Sequence, residues 1–291
     1  MSEREYPQPA LMRLRTLSHH ITFALGKRFP RTISLVFVLG YPKSGTTWAC
    51  QLAADYLQLP FPRHSLLPVG YAAVVHGHET VSRRFQRGLY VMRDGRDALT
   101  SLYFFIARRL PAGDNPILTR HQRRLFPNLR NRDDVAANIG PFIERQMRRP
   151  HPSPVHWGAH VRSYYEAAGH HMVLLRYEDL RCDPEGALAE AMARLEGAPP
   201  DSERVRMTIA KFSFERQAGR KPGVEDRASF LRKGEVGDWR NHFTREAADI
   251  FDRYCGEALV QAGYESDRTW VDRFSKDAAA QPSPGEAVTP A

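Results

Sequence analysis

The stretch "YPKSGTTWACQL", residues 41–52, decides the fold. It follows the apolar run "ISLVFVLG" and opens a segment in which Trp48, Leu52 and Tyr56 recur at helical spacing. A strand, a tight glycine loop and a helix are what a phosphate-binding loop is made of. Gly40 and Gly45 keep the glycine spacing of the nucleotide loop G-x-x-x-x-G-K-[ST], but Thr46 stands where that loop carries its lysine. The nearest lysine is Lys43, at the crest of the loop, where its charge would meet a bridging atom of the ligand. Ser44, Thr46 and Thr47 add hydroxyl donors, and the start of a helix offers unpaired N–H groups and a positive dipole end.

Two further segments repeat the strand–helix grammar. In "GLYVMRDGRDALTSLYFFIARR" a strand through Met92 precedes a helix carrying Leu99, Leu102 and Ile106. In "HMVLLRYEDLRCDPEGALAEAMARLEG" a strand ends near Arg176, Asp183-Pro184 starts a helix lined by Leu188, Met192 and Leu195, and Gly197 stops it. The pattern predicts an α/β fold of three layers, with a central, mainly parallel sheet flanked by helices. Ligands of such sheets sit beyond the strand carboxyl ends. Lys43, Arg93 and Tyr177 should therefore meet at one edge.

The chain of 291 residues carries a net charge of +9. Its arginines crowd residues 108–149, within a Pro-, Arg- and Asn-rich stretch over 107–155 of weak periodicity that reads as an excursion or a set of short helices covering the site. Such a patch attracts anions over a Debye length of about 8 Å. No nucleic-acid-reading motif accompanies it, so no nucleic-acid partner is expected. Three scattered cysteines without CxxC spacing argue against a disulfide framework or a cysteine–zinc site and for a reducing, cytoplasmic compartment. No apolar run reaches the roughly 20 residues of a membrane helix. The basic segment "LMRLRTLSHHITFALGKRFPRT" reads as an N-terminal helix or arm, which leaves peripheral membrane contact open. The expected division is a basic arm over 1–32, one domain over 33–275 and a disordered tail over 276–291.

"YPKSGTTW" resembles the 5′-phosphosulfate loop of the cytosolic-type sulfotransferases, which use 3′-phosphoadenylyl sulfate (PAPS). "YVMRDGRDALTSLYFF" is similar to that family's 3′-phosphate strand–helix, "YEDL" to a short motif that follows it, and "FLRKGEVGDWRNHFT" to its C-terminal RKGxxGDWKxxFT loop. The likeness runs from about Ile33 to Tyr264. It implies PAPS as sulfuryl donor, PAP as product and no metal. It places Lys43, Ser44, Gly45, Thr46, Thr47 and Trp48 around the phosphosulfate, and Arg93, Ser101, Arg232, Lys233 and Gly234 around the 3′-phosphate. Adenine falls among Trp48, Tyr177 and Phe214. The residue types agree independently, since a dianion calls for fixed cations and short donors.

Transfer to a hydroxyl or amine needs a base for the acceptor's proton. Aligning "VVHGHETV" with the family's K-[ST]-H stretch places it at His78, an imidazole largely neutral at pH 7. The family's lysine two residues earlier is His76 here. Either a protonated His76 replaces its charge or Lys43 works alone. The resemblance thus implies a sulfotransferase with His78, Lys43 and Ser101 in catalytic roles and a small-molecule acceptor, open to an aromatic or hydrophobic one. Rival readings are a P-loop kinase or NTPase, a non-catalytic anion binder, a metal held by His76 and His78, and sulfation of carbohydrate, lipid or peptide. His156 and His160 read as structural. Arg240, Thr244 and Asp249 keep the spacing of the family's dimer motif K-x3-T-V-x3-E, but Arg245 replaces its valine, which leaves the oligomeric state open.

Overall fold

A computed structural model describes residues 9–107, 134–167, 171–221, 223–226, 229 and 232–274. Four strands, β1 (Leu35–Gly40), β2 (Ala73–Gly77), β3 (Gly88–Met92) and β4 (Met172–Arg176), pair in the order β2-β1-β3-β4. Every pairing is parallel, with Val38 opposite His76, Gly40 opposite Val91 and Met92 opposite Arg176. All six residues of β1 are buried, as expected of a strand covered on both faces.

Alternate side chains of the sheet feed two cores. Phe37, Leu39, Tyr90 and Met92 face α3 (Gly95–Ala107), α4 (Val135–Arg148), α5 (Trp157–Ala167) and α10 (Arg245–Gln261), in a cluster with Leu99, Phe142, Trp157 and Phe251. Val36, Val38, Leu89 and Val91 face α2 (Thr46–Leu57) and α7 (Pro184–Glu196), packing with Leu52, Tyr56, Leu188 and Met192. The expected three-layer α/β fold is present. Asp183 caps α7 by accepting a bond from the Gly186 N–H, and Gly197 closes it in the left-handed conformation. Short helices α6 (Tyr177–Cys182) and α9 (Phe214–Ala218), the helix α8 (Ser202–Lys211) and a 3₁₀ turn over Asp238–Asn241 complete the frame.

The N-terminal segment forms a helix, α1 (Pro9–Arg28), that inserts Phe23 edge-on against Phe37 and Phe85. Of the arginine-rich stretch, residues 108–133 lie outside the described residues, as does the tail 276–291. Residues 135–148 are one helix of 14 residues rather than several short ones, and its Ile139, Phe142, Ile143 and Met147 enter the core. Thr244, read against the dimer motif, caps α10 with its own hydroxyl, which accepts from the Ala247 N–H. Arg245 pairs within the chain, with Asp249 and Asp272.

Candidate active site

β1, β3 and β4 deliver Gly40, Met92 and Arg176 to one edge of the sheet, so the loops that follow converge. The first is the glycine loop. Lys43 takes a positive φ of 68°, a sparsely populated conformation for a non-glycine residue and a form of strain that gathers at functional sites. Its ammonium lies 4.7 Å from the centre of the Phe105 ring. Gly45 has φ 90°, and a Cβ there would come within 2.7 Å of the Tyr177 ring. The ring thus packs directly on the loop backbone. The hydroxyl of Ser44 is fully buried and has no hydrogen-bond partner among the described residues. A buried donor without a partner costs about 1–3 kcal/mol, and an anion at the start of α2 would satisfy it.

On the neighbouring edge, His76 and His78 follow the loop across β2. The Nδ1 of His78 lies 2.7 Å from the Gly40 carbonyl oxygen. An oxygen of this kind only accepts, so Nδ1 carries the proton and Nε2 carries the lone pair. Burial pushes the His78 pKa below its ordinary value, with the Gly40 bond opposing. His76, whose Nε2 shares a hydrogen bond with the Thr46 hydroxyl at 2.9 Å, is held well below the ordinary value by burial and by His78 beside it. Both effects favour the neutral form of His76. Behind them His160 donates from Nε2 to the His78 carbonyl at 3.2 Å, while the Tyr90 hydroxyl donates to its Nδ1 at 2.9 Å. Burial lowers the His160 pKa to about 4. Sequence read His160 as structural, and so it is, but its load includes the backbone of the candidate base. Among the described residues no group of three or more His, Cys, Asp or Glu gathers as a metal site.

The opposite wall is built by two loops that Arg93 ties together. Its NH1 and NH2 donate to the carbonyls of Lys43 and Glu235 at 3.1 and 3.0 Å, and its guanidinium lies 4.2 Å from the centre of the Tyr177 ring. Its Nε is buried without a partner, like that of Arg232. Asp97 accepts from the N–H groups of Gly237 and Trp239 at 2.7 and 2.9 Å, fixing the C-terminal loop to α3. Asp238 is the counter-ion of that loop, paired with Arg232, with Lys233 at 2.8 Å and with His242 at 3.3 Å. Burial alone would raise its pKa, but hydrogen bonds from His242, Arg232 and Lys233 hold it well below the carboxylate range. Gly234, at φ 68°, lets the Phe214 ring lie against the backbone, where a Cβ would approach it to 2.6 Å.

Lys43, Gly45, Thr46, Thr47, Trp48, His78, Arg93, Ser101, Tyr177, Phe214, Arg232, Lys233 and Gly234 all line one cavity of ≈ 500 Å³. Ser44 lies beneath it. Sequence reading missed Arg63, Arg181 and Glu235, which share the lining. Arg63 lies in a connection without a motif, whereas Arg181 directly follows "YEDL" and Glu235 occupies a variable position of the RKGxxGDW pattern, so neither was marked by residue type. Six cations, Lys43, Arg63, Arg93, Arg181, Arg232 and Lys233, thus face a single lining carboxylate. Trp48, whose Nε1 donates to the Phe212 carbonyl at 2.9 Å, meets Tyr177 edge-on across the cavity, with Phe214 nearby. The arrangement can hold a polyanion that also carries an aromatic base.

Comparison with known proteins agrees with this geometry. Sulfotransferase 2B1 of Homo sapiens is 23% identical over 239 residues, covering 75% of this chain and 64% of that protein. Amine sulfotransferase of Oryctolagus cuniculus is 22% identical over 267 residues, covering 77% and 80%. Among solved structures, mouse sulfotransferase SULT7A1 complexed with PAP superposes with a TM-score of 0.58 at 20% identity, over 90% of this chain and 95% of that one, a likeness of fold. The family model described as "Sulfotransferase domain" matches residues 73–263, a span that holds the candidate base and the C-terminal loop but begins after the phosphate loop. With about two thirds of its length inside that match, this chain belongs to the sulfotransferase domain family.

Proposed function

We propose that this protein transfers the sulfuryl group of PAPS to a hydroxyl or amine of a small-molecule acceptor and releases PAP, in the cytoplasm. The observation that carries the reading is the tautomer of His78: its Nδ1–H donates to the Gly40 carbonyl, so Nε2 is the basic atom, in a cavity it shares with Lys43. The residues suit the donor. Buried donors at Ser44 Oγ, Arg93 Nε and Arg232 Nε have no partner among the described residues, and the cavity volume falls in the range of small-molecule sites, about 300–1,000 Å³. PAP is also the ligand in the solved structure of SULT7A1.

Bound PAPS would supply a sulfuryl group on a phosphate leaving group, the S–O bond to phosphate breaking as the bond to the acceptor oxygen or nitrogen forms. His78 Nε2 takes the acceptor's proton. Lys43 and the first N–H groups of α2 hold the charge left on the phosphate oxygen. Ser101 and the pair Arg232 and Lys233 fix the 3′-phosphate, and Trp48, Tyr177 and Phe214 enclose the adenine. No step calls for a metal ion. Leu102 and Phe105 give the cavity an apolar wall next to Lys43, which supports a hydrophobic or aromatic acceptor.

Calorimetric titration with PAP, ADP and Mg·ATP tests the reading. Without the 3′-phosphate the cations of the C-terminal loop are left facing an empty site, at a cost of about 2–5 kcal/mol. Tight PAP binding without magnesium and weak ADP binding are expected. A preference for Mg·ATP would return the loop to the kinases.

A further inference from the structure

Helix α1 has two apolar faces, and the fold uses one. The inner face sends Phe23 into the core, and the Thr22 hydroxyl accepts from the Val69 N–H at 2.9 Å, which clamps the connection before β2 beside the helix. The outer face carries Ala10, Leu14, Leu17, Ile21 and Ala24, spaced four, three, four and three residues apart, and all five are exposed. Next to it the clamped connection exposes Leu66, Leu67 and Tyr71, with Leu67 75% accessible. The Thr22–Val69 bond thus holds an apolar loop beside a helix with an apolar stripe, and none of the described residues covers either.

The charge around this surface selects its partner. Within residues 6–54 there is no aspartate or glutamate, and within the first 78 residues acids occur only at Glu3, Glu5 and Asp55. Arg13 and Arg28, both exposed, border the stripe without a carboxylate on their own helix, while the Lys27 ammonium lies over the Phe85 ring on the inner side. Seam-like spacing would also suit a second copy of α1. In either orientation, however, two such helices set like charges against one another, since neither brings an acid. A surface that is apolar below and anionic above meets both requirements.

We propose that α1 and the loop at 66–71 form a membrane-docking face that lies on anionic phospholipid, with the leucines in the acyl boundary and Arg13 and Arg28 at the headgroups. The inference is independent of the sulfotransferase reading. Co-sedimentation of the full chain with vesicles tests it, using phosphatidylcholine alone and phosphatidylcholine mixed with phosphatidylserine, at low and raised salt. Sedimentation with the mixed vesicles only, reversed by salt, is expected. Arg13→Gln and Arg28→Gln should each weaken it about fivefold. The double variant Leu17→Glu/Leu67→Glu should weaken it by about tenfold or more. Titration with PAP, the same for each variant as for the parent chain, separates a docking defect from misfolding and from failure of the catalytic reading. No sedimentation with either vesicle overturns the proposal, as does equal sedimentation with both. A concentration-dependent dimer that Leu17→Glu dissolves would assign the stripe to a second copy instead.

Discussion

The His78 ring is tied by its Nδ1–H to the Gly40 carbonyl, 2.7 Å away, at the point where β1 enters the phosphate loop. One backbone atom of the donor-side loop thus sets the tautomer of the candidate base. The base and the cradle for the leaving phosphate are registered to each other through this bond, not through a flexible side-chain pair. Pre-organisation of this kind lowers the cost of aligning acceptor and donor.

Replacing His78 with Ala should lower kcat by about 10²–10⁴-fold and leave PAP affinity nearly unchanged, because Nε2 acts on the acceptor alone. Single-turnover sulfation with calorimetry of PAP separates the two. Burial lowers the His78 pKa from 6.5, so the neutral base persists as pH falls and the acid limb of kcat/KM should lie below pH 6.5. A limb at higher pH would mean another group is the base.

Lys43 should be irreplaceable by acidification. His76 stands where the family pattern has a second lysine, and burial favours its neutral form. Lys43→Met should therefore reduce kcat by about 10²–10³-fold, as loss of one transition-state donor does elsewhere, with no recovery between pH 8 and pH 6. Recovery toward low pH would show that His76 charges and substitutes.

The α/β architecture and the convergence of three loops were legible because periodicity and glycine spacing are local signals, and Tyr41, Arg93 and Tyr177 each follow a strand that reads as a strand. The helix over 135–148 was not. Pro141 and Arg145 interrupt the pattern of Ile139, Phe142, Ile143 and Met147, and further arginines crowd its ends, although Asp134 caps the helix in the ordinary way. Nor could sequence show that Arg93 spends two nitrogens on backbone carbonyls 50 and 142 residues away, that Asp97 holds the C-terminal loop, or that His160 stands behind His78. Those contacts depend on tertiary register, which no motif encodes.

Gly45→Ala should damage the donor site from within. At φ 90° a side chain is strained, and its Cβ would stand 2.7 Å from the Tyr177 ring, which cannot yield without moving off Arg93. We expect about 1–3 kcal/mol of lost stability by urea unfolding. PAP affinity should fall about tenfold or more as the loop donors shift. Wild-type affinity in the variant would show that the adenine side does not depend on this packing.

His160 makes acid stability a readout of the scaffold behind the base. Its folded pKa is about 4 against an ordinary 6.5, and it is fully buried. Below pH 6.5 the unfolded chain takes up a proton that the folded chain refuses, so stability is complete above that pH and falls as pH drops toward 4. The loss amounts to about 3 kcal/mol from this residue. Urea unfolding at pH 7, 5.5 and 4 should show the decline, and His160→Gln should flatten it while lowering stability at pH 7, because the bond from Tyr90 and the bond to the His78 carbonyl cannot both be kept at the same geometry. If the variant keeps the full acid slope, the proton enters elsewhere. If it also keeps the parent kcat, His160 carries the fold but does not position His78.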